Sequence, residues 1–137
     1  MPNKSLLFLL SISLTLTSLN AQSNSAESVA IQSCEATKVM DFNKLKSYTV
    51  ESKHAELDMI IGQLDAARAQ IKQMPEQQRK MAEEKMQAQL DMMKKIDCQH
   101  MTMTKGEKGT MVAALSNHPE MGSTTLQKIK GEWKIIK

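Results

Sequence analysis

The chain has 137 residues, enough for one domain with a modest core. Its 18 Lys and Arg stand against 15 Asp and Glu, and the two signs are interspersed, which excludes the clustered basic footprint of a nucleic-acid binder. Twelve Met but only two Phe, one Tyr and one Trp imply a soft core, because Met fills gaps without specifying packing.

The first residues read MPNKSLLFLLSISLTLTSLNA. Lys4 supplies a minimal positive start, Leu6 to Leu19 form an apolar run softened by Ser and Thr, and Ala21 offers a small residue at a break. This pattern predicts a secretory signal peptide over residues 1–21, leaving a mature domain of residues 22–137. The alternative is an uncleaved N-terminal anchor, but the run is shorter than the roughly 20 apolar residues of a membrane span. No cysteine follows the expected cut, so no lipid anchor is expected. Losing Lys4 leaves 17 basic against 15 acidic residues, a formal +2. The expected location is therefore periplasmic or secreted.

SAESVAIQSCEATKVM reads as a helix. Asn24 with Glu27 three positions on fits a capping box. Val29, Ala30, Ser33, Cys34, Thr37 and Met40 share one side, which points Cys34 inward. Asp41 can cap a short second helix with Phe42, Leu45 and Tyr48 on one face. KHAELDMIIGQLDAARAQIKQM is the clearest helix, with Leu57, Ile60, Ile61, Leu64, Arg68 and Ile71 at helical spacing. Pro75 ends it, or kinks it, and suits the first turn of a further helix to Ile96. Met81, Met86, Leu90 and Met93 make a looser stripe there. Its Glu, Lys and Gln form a solvated face with pairs such as Glu84 and Lys80, or an adaptable surface for a peptide or a second copy.

Beyond Asp97 the character changes. CQHMTMT, GTMVAALSN, STTLQKIK and EWKIIK are short runs separated by the turn signals KGEKG, HPEMG and KG. They predict a four-stranded antiparallel meander. Helices first and strands later define an α+β fold, with N-terminal helices packed on one face of the sheet.

The closing LQKIKGEWKIIK, through Gly131, Trp133 and Lys134, resembles the last hairpin of the nuclear transport factor 2-like superfamily. CEATKVMDFNKLKSY resembles its first-helix ending through Ala36, Asp41 and Phe42, with Met40 where that pattern usually has Gly. The likeness is strongest to small exported bacterial domains of unknown function, sometimes described as lumazine-binding-like. It implies a cone-like curved sheet closed by helices, and dimerisation through the sheet. The superfamily includes isomerases and cyclases that use polar residues in the cone, and many members that only bind. No catalytic motif of the enzyme branches is present, so no catalytic residue is assigned.

Three chemistries follow. Cys98, His100, Met101 and Met103 are donors suited to Cu(I). If 97–104 is a strand, alternation puts Cys98 and His100 on one face and the two Met on the other, so they do not converge and no metal site is assigned. Cys34 and Cys98, the only cysteines, are expected to pair as a disulfide in an exported chain. For an enzyme, polar candidates are His100, Tyr48, Asp41 and His118. Asp41 is more simply a cap, and His118 precedes Pro119 in a loop. The pocket candidates are Tyr48, His100 and Trp133. The expected function is an exported, non-catalytic accessory protein that binds a small molecule or a protein partner. Alternatives are a small-molecule isomerase or cyclase and a Cu(I)-binding protein. No cofactor, nucleic acid or retained membrane anchor is implied, and a homodimer is open.

Overall fold

The computed structural model describes residues 25–137. The expected signal peptide and the Asn24 cap lie outside the described residues. Among the described residues, four α-helices are followed by an open, four-stranded antiparallel sheet in the order β1-β2-β3-β4. The α+β class, the helix-then-strand order and the meander are thus as the sequence predicts.

Helix α1 spans Ala26–Lys38. Ser25 caps it, its side chain accepting from the Ser28 N–H at 3.1 Å. The buried side chains Ala26, Val29, Ala30, Ser33 and Ala36 recur at helical spacing and face the sheet. Most are small, so α1 lies close and touches all four strands. It ends in a turn where the Asp41 N–H reaches back to the Ala36 carbonyl at 2.9 Å. Met40 stands at φ 56° in that turn, the left-handed conformation usually left to Gly. Asp41 then caps α2, Phe42–Ser47, accepting from the Lys44 N–H at 3.1 Å.

Residues after α2 pair with the sheet edge, which the sequence reading did not anticipate. Thr49 forms a parallel bridge to Ile135, the Ile135 N–H donating to the Tyr48 carbonyl at 2.8 Å and the Val50 N–H to Ile135 at 2.9 Å. His54, the first residue of the next helix, places Nε2 2.9 Å from the Thr49 carbonyl, which can only accept, so this nitrogen carries the proton.

Helices α3 (His54–Gln73) and α4 (Glu76–Lys94) are separated by an extended Met74 and Pro75. Pro75 therefore breaks the helix. Residues 74–75 cannot continue it, since Pro disfavours helical backbone in the residue before it. The start of α3 and the end of α4 line one cleft, so the pair runs out and back. Neither helix contains a buried residue. Leu57, Ile61, Leu64, Ala82, Met86, Leu90 and Met93 are half-buried, whereas Ile60 and Met81 are exposed. Lys80 pairs with Glu76 at 3.6 Å, not with Glu84.

The strands are β1 (Met101–Lys105), β2 (Met111–Leu115), β3 (Ser123–Ile129) and β4 (Glu132–Ile135). Met101 faces Leu115, Met103 faces Ala113, and Leu126 lies between Met111 and Ile135. Val29, Ala30, Ala113, Leu126 and Ile135 make the main core, with Leu45, Tyr48, Met101, Met103 and Trp133 around it. A second cluster joins Ile96, Cys98 and Leu115. Among the described residues Leu126 and Cys98 are the largest fully buried side chains, so the core is small.

Strand β1 begins later than the sequence predicts. Cys98–His100 form a short 3-10 turn instead of the strand's start. The cause is Asp97, whose Oδ1 accepts from the Gln99 N–H at 2.9 Å and folds the chain back. Alternation therefore starts at Met101 and turns Met101 and Met103, not His100, toward the core.

Candidate functional site

The small side chains that let α1 approach the sheet also leave space beside it. Between α1, the sheet and the root of the α3–α4 pair lies a solvent-open cleft of about 380 Å³. Ala30, Ser33, Cys34 and Thr37 form the α1 wall, and Ala113, Leu115 and Thr124 the sheet wall. Leu57, Ile60, Met93 and Ile96 close the side toward the helical pair, and Leu45 and Ile135 lie at its base.

The cleft is less polar than its residue names imply. Ser33 Oγ donates to the Ala30 carbonyl, Thr37 Oγ1 to Ser33, and Thr49 Oγ1 to Leu45, each at 2.8 Å. These hydroxyls spend their protons on backbone carbonyls three or four residues back, as Ser and Thr do in and just after helices. The charged lining groups are Lys38, Lys53, Glu56 and Lys137. Lys38 Nζ lies 3.5 Å from Glu35 and Lys53 Nζ 3.2 Å from Glu56. The Lys38 side chain is 16% exposed and its partner Glu35 48%, so the lysine is the more enclosed of the two.

Cys34 and Cys98 are joined in a disulfide across 64 positions, Cα to Cα 5.9 Å. It ties the α1 wall of the cleft to the turn that leads into β1. This removes the Cys98 thiolate from the soft-donor set. His100 is exposed, with Nε2 3.2 Å from Asp97, while Met101 and Met103 pack on the core. The four donors of residues 98–103 do not converge. Among the described residues no group of three His, Cys, Asp or Glu is placed to hold a metal ion.

The three pocket candidates lie elsewhere. Tyr48 donates its hydroxyl to Gln32 Oε1 at 2.5 Å and lays its ring on the core. Trp133 is half-buried against the same core. His100 sits outside on the 3-10 turn. None of them lines the cleft. Asp41 is a helix cap, as its sequence position indicates. His118 Nδ1 lies 3.0 Å from Glu120 on an exposed loop. A backbone hydrogen bond, and then His118, hold the Glu120 carboxyl below its ordinary range; neither residue lines the cleft, although the next two, Met121 and Gly122, do. Lys38, Lys53 and Glu56 were not legible as site residues, since each looks like an ordinary surface charge beside a partner three positions away.

No family model, curated protein or solved structure matches this chain. Among the described residues no helix is long and apolar enough to cross a membrane.

Proposed function

We propose that this chain is an exported, non-catalytic binding protein whose cleft holds a small apolar molecule. The observation that carries this reading is the cleft itself: a space of about 380 Å³, within the usual range for ligand sites, lined mainly by aliphatic and Met side chains, with the Ser33, Thr37 and Thr49 hydroxyls bonded to backbone. Such a surface rewards shape and apolar area. An isomerase or cyclase needs a positioned acid or base, and the carboxylate of the lining, Glu56, is 64% exposed and, among the described residues, has nothing but Lys53 to orient it. Export rests on the apolar leader at residues 6–19, and the disulfide is compatible with an extracellular or periplasmic compartment. The order of helices and meander supports a nuclear transport factor 2-like reading of residues 22–137, with the cleft as its cone.

The test is displacement of an apolar fluorescent dye from the purified protein, together with mass spectrometry of anything that co-purifies. Thr124→Leu projects a larger side chain into the cleft. It is expected to weaken dye binding at least tenfold with the thermal midpoint little changed. Undiminished binding would place the dye elsewhere and defeat the reading.

A further inference from the structure

The cleft is apolar within and carries lysines at its lining, and this combination specifies more than an apolar guest. We propose that it takes a medium-chain aliphatic monocarboxylate, with the chain against Leu57, Met93 and Ile96 and the carboxylate between Lys38 and Lys53; this rests on the binding reading above.

Charge complementarity selects the head group. Lys38 and Lys53 line the cleft against one glutamate, Glu56, so these side chains favour an anion. Lys38 is the stronger contributor because its side chain is 16% exposed and its ion-pair partner, Glu35, is half-exposed at 3.5 Å. Lys53 is 40% exposed and shares its charge with Glu56 at 3.2 Å, so it helps less. Pairs three apart on a helix surface hold weakly, and a carboxylate arriving from the cleft side exchanges them at little cost. The hydroxyls of Ser33, Thr37 and Thr49 donate to backbone carbonyls, which leaves few free donors for a polyhydroxylated guest such as a sugar. Volume limits the tail: about 380 Å³ is at the low end for ligand sites and suits one chain of moderate length, not a two-tailed lipid.

The experiment is isothermal titration of the full chain, disulfide intact, with hexanoate, octanoate, decanoate, octanol and octylammonium. Octanoate is expected to bind at least tenfold tighter than octanol, since a hydrogen bond to a charged group outweighs a neutral one. Octylammonium is expected to bind most weakly. Across the carboxylates Kd is expected to fall about fourfold per methylene until the chain outgrows the cleft. Lys38→Met keeps the aliphatic stem and removes the charge; it is expected to abolish the preference for octanoate over octanol. Octanol binding as tightly as octanoate overturns the head-group assignment while the apolar cleft stands. If neither binds, the binding reading fails with it. The comparison of octanoate with octanol on the unaltered protein decides the matter even if the Lys38 variant does not fold.

Discussion

Met40 shows how one residue can keep a backbone shape that its type disfavours. Its φ of 56° closes α1 and directs the chain into the Asp41 cap, and a non-Gly residue there costs roughly 1–2 kcal/mol. Part of that cost is recovered by packing: Met40 is half-buried and shares a small cavity with Phe42, Ile61 and Leu64. Met40→Gly relieves the backbone and loses the packing and some unfolded-state restriction. The balance is expected to favour Gly by about 0.5 kcal/mol, read as a rise of about 2–4 °C in thermal midpoint. A fall of similar size would mean that the thioether's contacts outweigh the turn. The residue scale is also where the sequence was hardest to read. Asp97 looks like any acidic residue before a strand, but its bond to the Gln99 N–H turns Cys98–His100 into a 3-10 segment and shifts the strand by three positions. A side chain that bonds the backbone two residues on leaves no trace in a period-two pattern.

At the scale of elements, the helices were legible because their signals are local. Apolar spacing marks α3, Asp41 marks the start of α2, and Pro75 marks the division of α3 from α4. Gly131 behind Lys130 marks the β3–β4 hairpin, where both residues take positive φ, as a two-residue turn of this hand requires. The cleft was not legible, because it arises where α1, the sheet and the root of the α3–α4 pair meet, and no one segment records that meeting. The helical pair differs from the rest in stability. Besides each other, α3 touches mainly α2 and α4 mainly α1 among the described helices, and no side chain in either is fully buried. Local opening is expected where buried contacts are few. Amide hydrogen exchange is therefore expected to be fastest toward the connection at Met74–Pro75 and slowest in β2 and β3, with protection in the distal helices at least tenfold below that of Leu126. Equal protection throughout would show that the pair is held by something beyond its own seam.

For the whole molecule the disulfide matters more than its position at a corner suggests. The core is short of large side chains: Val29, Ala30, Ala113, Leu126 and Ile135 in one cluster, Ile96, Cys98 and Leu115 in the other. Domains of this size retain only about 5–15 kcal/mol of net stability. Closing a loop across 64 positions contributes about 4 kcal/mol in the chain-entropy account. The Cys34→Ala, Cys98→Ala double variant is expected to lose about 2–4 kcal/mol in urea denaturation, with the sheet still formed at low urea. A loss under 0.5 kcal/mol would show that the two core clusters hold each other without the bond. Because Cys34 also lines the cleft, the variant is expected to bind apolar dye more weakly at equal folded fraction.

The bond has a further consequence for the covalent path of the chain. Residues 35–97, which include α2 and the whole outward excursion of α3 and α4, lie inside the ring that Cys34 and Cys98 close. A protease that cuts the extended connection at Met74–Pro75 produces two pieces, yet neither can leave, because one carries Cys34 and the other Cys98. The excursion can be severed at its far end while α1 and the sheet stay in one covalent unit, and only a reductant would separate them.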